Sequence, residues 1–311
     1  MILITGAAGF VGRAVVRQLS TEYREVRCLL RPSQREQRLA TGTSFSTISA
    51  SMNDLPALRA AMQDVTAVIH LTGEEDLDRE GRMRSHVEDT HNLVTAAQET
   101  GARHFIYLSR LGADQSSAFS IFRARGEAET QVRESDLNVT ILQASSLYGP
   151  EDLTTNVLVM LAKVLPFVMP IPDTGLSRFQ PVYITDLARC IVATLDQGEL
   201  IGQTIPVGGP EHFTLEQLVA EVLAAAGMRR RLIHVRGPFI DGGIKLLNAA
   251  LPRNPIPSWW LDILTVGSAT DLTTIPRHFD FQPRRFAESL DYVSRRRPWR
   301  RDLIRLMMDR L

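Results

Sequence analysis

Three glycines at fixed spacing are the first residues in this chain equipped for chemistry. In Thr5-Gly6-Ala7-Ala8-Gly9-Phe10-Val11-Gly12 they stand between a short apolar run, Ile2 to Ile4, and a helical pattern from about Phe10 to Ser20. Without Cβ atoms they permit a tight turn and let backbone N–H groups approach a pyrophosphate, whose charge the opening of a helix also favours. The spacing is Gly-x-x-Gly-x-x-Gly rather than the standard dinucleotide form, so the place of the loop at the head of a βαβ unit carries the argument. About 20 residues further on, the second strand ends in Leu29-Leu30-Arg31-Pro32. Binders of NAD carry an acid there for the ribose 2′-hydroxyl, whereas an arginine suits a 2′-phosphate, so NADP(H) is expected ahead of NAD(H). The competing reading is a solvated arginine, in a chain with 33 arginines and two lysines. Arg13, just past the loop, either assists or faces water.

Such a loop needs strands and helices in alternation, and the sequence supplies them. Strand patterns run over Val26 to Leu30, Ser44 to Ile48, Ala67 to Leu71, His104 to Ser109 and Val139 to Gln143. Between them lie helical patterns beginning near Asn53-Asp54, ending at Thr100 before Gly101, and spanning about Phe119 to Ser135. Several strands are continuous apolar runs, as expected of a parallel sheet covered on both faces. The fold class is therefore α/β, a Rossmann-type doubly wound sheet over residues 1–150. Past Gly149-Pro150 the spacing turns irregular, with Pro166, Pro170, Pro172 and Gly175 as punctuation and helices near 185–196 and 214–226 lacking regular strand partners. A smaller substrate-side lobe is expected over 151–294, with some segments returning to the Rossmann core.

Acidic and basic residues balance at 35 each, which gives no global field for nucleic acid. Cys28 and Cys190 sit in a strand-like and a helix-like run, suiting reduced core thiols rather than a disulfide or metal framework, and no metal site is expected. No apolar run reaches the roughly 20 residues of a spanning helix, and no signal peptide opens the chain. A cytoplasmic protein is expected, with peripheral contact at the inner face of a membrane as the alternative. That alternative comes from residues 295–311, where Arg295-Arg296-Arg297-Pro298-Trp299-Arg300-Arg301 precedes apolar residues at helical spacing. A basic amphipathic helix of this kind fits an anionic membrane, a partner's groove or its own domain. Arg229-Arg230-Arg231 reads as a solvated turn.

The glycine loop, Val68-Ile69-His70-Leu71-Thr72-Gly73, Phe105-Ile106-Tyr107-Leu108-Ser109 and Tyr148-Gly149-Pro150 together resemble the short-chain dehydrogenase/reductase superfamily, in its extended and atypical branches. Gln180 to Ala188 and Val207 to Glu211 resemble segments of the extended branch. Ser109 to Asp114 and Phe279 to Phe286 resemble more narrowly the atypical group related to the 39 kDa subunit of respiratory complex I, alongside the NmrA-like group. The resemblance implies cofactor contacts from Thr5, Gly6, Ala8, Gly9, Phe10, Val11 and Gly12, and from Arg31. It implies others from Ser51 and Met52, from Leu71, Thr72 and Gly73, and from Leu108, Ser109, Arg125 and Ala144.

Carbonyl-reducing members use a tyrosine, a lysine four residues later and an upstream serine, the lysine lowering the tyrosine's pKa and holding the nicotinamide ribose. Aligned on Arg125-Gly126-Glu127-Ala128-Glu129, the chain has Ser109 for the serine, Ile121 for the tyrosine and Arg125 for the lysine. A shift of one residue offers Phe122 and Gly126. Arg125 keeps a charge for the ribose, but isoleucine donates no proton, leaving Tyr148 and Tyr183 as candidate replacement acids. The implied family acid after the third strand is Ser51 here, and His86 replaces an asparagine, either in a functional role or as a helix-surface histidine. The expected role is structural, assembly or redox-sensing. The alternatives are an oxidoreductase or epimerase/dehydratase-like enzyme with a relocated acid, acting on an unknown small molecule, or an accessory subunit of a membrane electron-transfer complex with a protein partner.

Overall fold

The computed structural model describes residues 1–32, 45–71, 80–165, 167–250 and 259–293. From the N-terminus run β1 (Ile2–Thr5), α1 (Phe10–Thr21), β2 (Val26–Leu30), β3 (Ser46–Ser49), α2 (Leu55–Ala61), β4 (Ala67–Leu71), α3 (Glu80–Thr100), β5 (His104–Arg110), α4 (Ser120–Arg133) and β6 (Val139–Ala144). Then follow β7 (Leu147–Tyr148), α5 (Leu153–Val164), β8 (Val168–Pro172), β9 (Arg178–Phe179), β10 (Val182–Tyr183), α6 (Ile184–Ala193) and β11 (Thr204–Val207). The remainder is β12 (Phe213–Thr214), α7 (Leu215–Ala225), β13 (Arg231–Val235), α8 (Gly237–Ala250), α9 (Trp259–Val266) and α10 (Thr274–Phe279).

Seven strands form one parallel sheet in the order β11-β6-β5-β4-β1-β2-β3, the Rossmann arrangement in which chain order reverses beside β1. The register pairs Thr5 with both Leu29 and His70, Leu71 with Leu108, and Arg110 with Ala144, so the strands' carboxyl ends share one edge. Leu3, Val68, Phe105, Tyr107 and Ile141 point from one face of the sheet into a core completed by Leu58, Leu93, Ala97, Ala128 and Val132 of α2, α3 and α4. Strand alternation sends Ile2 and Ile4 to the other face, where they are also buried. Local chemistry sets the boundaries. Asp54 caps α2 by accepting from the Ala57 amide, and Gly101 takes a φ of +74° where α3 stops.

The chain divides into two compact units. The first comprises Met1–Ala144, Ile184–Val207 and Thr274–Phe281, and contains the whole seven-stranded sheet. The second takes Ser145–Tyr183, Gly208–Thr273 and the chain from Gln282 onward, and carries the pairs β7 with β10, β8 with β13, and β9 with β12. The helix expected near 185–196 without a strand partner is α6, which packs on α1 and leads into β11 at the sheet edge. Pro206 obscured that strand in the sequence; an edge position tolerates a proline because one side of the strand needs no donor. Among the described residues no helix is long and apolar enough to cross a membrane. The basic segment 295–311 lies outside the described residues. Both cysteines are buried free thiols, and burial pushes Cys28 up to about 12, which makes it inert.

Candidate functional site

The three loop glycines have three different surroundings. Gly6 has a φ of +70°, and a Cβ there would lie 2.0 Å from the Leu71 carbonyl oxygen at the end of β4. Gly12 is equally enclosed, its hypothetical Cβ falling 2.1 Å from the Gly6 oxygen, so α1 packs directly on the turn. Gly9 differs: its Cβ would meet only the Gly6 oxygen, at 3.2 Å. No side chain caps α1, whose N-cap is Gly9 itself, so the first-turn amides and the helix dipole are left to an anion. The corner thus fits a dinucleotide diphosphate, with the open space at the glycine that must admit it. Ala8 is buried, and its carbonyl accepts from Arg13, which therefore braces the loop. Phe10 and Val11 are half-buried in the first turn.

Beneath the corner lies a buried polar chain that the sequence did not suggest. Thr5 Oγ1 is 2.6 Å from His70 Nδ1, His70 Nε2 is 3.1 Å from Thr90 Oγ1, and Thr90 donates to the His86 carbonyl. His86 Nε2 in turn is 3.2 Å from the Tyr107 hydroxyl, and the His70 and Tyr107 rings stack at 5.5 Å. The surface reading of His86 is overturned: it is 6% exposed. Burial first, then the Arg125 and Arg31 charges, lowers His70 to about 3, and the same causes, with His70 added, hold His86 well below its ordinary value. Both imidazoles are neutral at physiological pH. A histidine inside the apolar run Ala67–Leu71 was the available signal for this chain.

Arg31 stands at the end of β2, and its Nη2 is 3.2 Å from Asp89 Oδ2 on α3; the arginine side chain is 40% exposed and the aspartate 8%. Ser51 is exposed, its Oγ accepting from the Asn53 amide at 3.4 Å, while buried Met52 offers its carbonyl to the Asn92 side chain. Leu71 and Ala144 are buried at the ends of β4 and β6 and Leu108 is buried within β5, and the Ala144 carbonyl accepts from the Leu111 amide. Thr72 and Gly73 lie outside the described residues.

At the end of β5, Ser109 is buried and its Oγ has no hydrogen-bond partner among the described residues. Such a group costs about 1–3 kcal/mol unless something satisfies it. Arg125 of α4 is 3% exposed and donates through Nη1 to the Leu108 carbonyl at 3.3 Å. One turn earlier on the same face, Ile121 is completely buried. Arg110 lies with its guanidinium 5.3 Å from the centre of the Phe122 ring, and burial, then Arg125, lowers it to about 9. This end of the sheet therefore holds two buried cations and an unsatisfied hydroxyl.

The two candidate acids, Tyr148 and Tyr183, belong to the second unit. Tyr148 is 2% exposed, donates to the Arg285 carbonyl at 3.3 Å, and packs edge-on against Tyr183 and Phe286. Tyr183 is half-buried, with the Arg284 guanidinium 5.1 Å from its ring centre. Both are integrated in an aromatic cluster.

With this geometry in hand, known proteins place the chain. It is 32% identical over 230 residues to the mitochondrial NADH dehydrogenase (ubiquinone) 1 alpha subcomplex subunit 9 of Arabidopsis thaliana, covering 71% of this chain and 56% of that protein. To the NAD(P)H azoreductase of Xenophilus azovorans it is 27% identical over 239 residues, 76% of this chain and 77% of the other. Among solved structures, the dTDP-glucose 4,6-dehydratase of Streptomyces venezuelae, crystallised with NAD, superimposes with a TM-score of 0.72 at 20% identity over 97% of each chain, a likeness of fold. Residues 6–197 match the NAD(P)H-binding family, and the chain is a member of that family, in the atypical branch of the short-chain dehydrogenases/reductases.

Proposed function

We propose that this protein holds NADP(H) as a resident nucleotide with a structural, assembly or redox-sensing role, and turns it over slowly. The observation that carries the reading is the contrast between a complete diphosphate corner and the missing acid–base pair. Only Lys163 and Lys245 occur in the chain, and the residues four positions before them are Val159 and Asp241, so no tyrosine–lysine pair of the family spacing exists in any register. Ile121 and Arg125 stand where that pair is expected. Bound NADP(H) would supply hydride chemistry. This chain's residues would bind its diphosphate at Gly6 to Gly12, hold its ribose from Arg125, and offer the Ser109 hydroxyl to its nicotinamide end.

The choice of NADP(H) rests on Arg31. No acid stands at the end of β2, and a guanidinium has five donors, enough for Asp89 and a 2′-phosphate together. Likeness to a respiratory-complex subunit supports the non-turnover role. Calorimetric titration with NADPH and NADH in parallel tests the reading: NADPH is expected to bind more tightly, and Arg31→Ala to erase most of the preference. A preference for NADH overturns the Arg31 argument, and rapid NADPH oxidation with quinones, ketones or sugar nucleotides overturns the non-turnover role.

A second reading, a reductase, is favoured by the unsatisfied Ser109 hydroxyl and by likeness to an azoreductase. It requires an acid from Tyr148 or Tyr183, or hydride transfer without a protein acid. Tyr148→Phe and Tyr183→Phe would abolish activity in the first case and spare it in the second.

A further inference from the structure

The second unit carries a basic and apolar tip that the nucleotide chemistry does not use. Helix α5 ends at Lys163 and Val164, and β8 begins at Val168; between them Phe167 is 81% exposed, and Val164 is 66% exposed. They stand with Tyr23, Phe239 and Leu176 among the most exposed large apolar side chains of the described residues. On the neighbouring strand, the Arg231 amide donates to the Phe167 carbonyl at 3.1 Å, which brings the run Arg229-Arg230-Arg231 alongside. Arg230 is consumed by the fold: its Nε donates to the Ala162 and Leu165 carbonyls at 2.9 and 3.0 Å, closing the end of α5. Arg229 and Arg231 are exposed on either side of it, and neither is ion-paired among the described residues. The run is therefore one structural arginine flanked by two outward cations, not simply a solvated turn.

Charge of one sign dominates this tip. Residues 153–172 and 226–235, which supply α5, β8 and β13, contain no aspartate or glutamate, whereas they contain Lys163, Arg229, Arg230 and Arg231; Asp173 lies at the other end of β8, beside Gly237. Two projecting apolar side chains are too few for a stable protein interface, which needs roughly 800 Å² from each partner. They suit a bilayer, where apolar tips enter the headgroup boundary and flanking cations meet lipid phosphates.

We propose that Phe167 and Val164, flanked by Arg229 and Arg231, form a docking tip for an anionic lipid surface. The proposal is independent of the nucleotide reading. Each cation near such a surface strengthens binding about fivefold, and an inserted phenyl ring adds about tenfold.

Co-sedimentation of the full chain with phosphatidylcholine vesicles, with and without phosphatidylglycerol, tests it. The chain is expected to pellet only with the anionic vesicles. Arg229→Gln with Arg231→Gln should weaken binding about 25-fold and Phe167→Ser about tenfold, with thermal unfolding unchanged. A full-length variant with arginines 295, 296, 297, 300 and 301 changed to glutamine separates the C-terminal segment and should keep the Phe167-dependent binding. Failure of the wild-type chain to pellet overturns the proposal, as does equal binding to neutral vesicles, or loss of binding only in the C-terminal variant. Phe167-dependent self-association in sedimentation velocity without vesicle binding also overturns it, and assigns the tip to a second copy.

Discussion

At the corner between β1 and α1 the site is built of backbone, whereas at the junction of β5 and α4 it is built of side chains. The first requires little more than the absence of Cβ atoms at Gly6, Gly9 and Gly12 and an uncapped helix. The second depends on what projects from positions 109, 121 and 125. Substitution at the carboxyl end of β5 can therefore remove a proton donor while leaving the diphosphate corner whole, since no side chain at the first is needed by the second. The proposed binding of a nucleotide without rapid turnover is compatible with this separation.

The comparison is broken most severely at Gly6. Gly6→Ala puts a methyl group against the Leu71 carbonyl at a positive φ, and should cost about 3 kcal/mol or more, read as a large fall in Tm. Gly9→Ala should leave Tm nearly unchanged, because its Cβ meets a single atom, but lower NADPH affinity about tenfold or more by denying the diphosphate its approach. Equal effects of the two substitutions on stability would show that the glycines do not divide their roles this way.

The next test reaches the buried histidines that link the two regions. Burial keeps His70 neutral down to about 3, against 6.5 for an open chain. As pH falls below about 6.5 the unfolded chain gains a proton that the folded chain refuses, so stability present above that pH is lost as pH descends toward 3. Tm should fall across that window, and His70→Gln should flatten part of the slope. His86 and His104 act in the same sense, and Asp152, whose carboxyl burial raises, in the opposite one. An unchanged slope in the variant would remove His70 as its source.

The smallest effect is expected at Ser109. Removing a buried hydroxyl without a partner should be neutral or stabilising by about 1 kcal/mol in the ligand-free protein. The same Ser109→Ala substitution should weaken NADPH binding. Destabilisation without any loss of nucleotide affinity would reassign the hydroxyl to the fold.

The sequence alone determined the glycine loop, the alternation of strand and helix through β6, the helix start at Asp54 and the helix stop at Gly101, and the want of a tyrosine–lysine pair. Each of these is local: residue type and short-range periodicity decide it. Tertiary structure decided the rest. Four residues with a central proline became the seventh strand, β11, only because β6 offered an edge, and Ile184–Val207 joined the first unit for the same reason. His86, which helix periodicity could not orient, was buried by Tyr107 from β5, and Arg31 acquired Asp89 from a helix 58 positions further along the chain. Ser109 was legible as a position but not as an unsatisfied donor. Partners of this kind are set by which distant segments pack together, and burial strengthens such contacts by excluding water, so no window of neighbouring residues contains them.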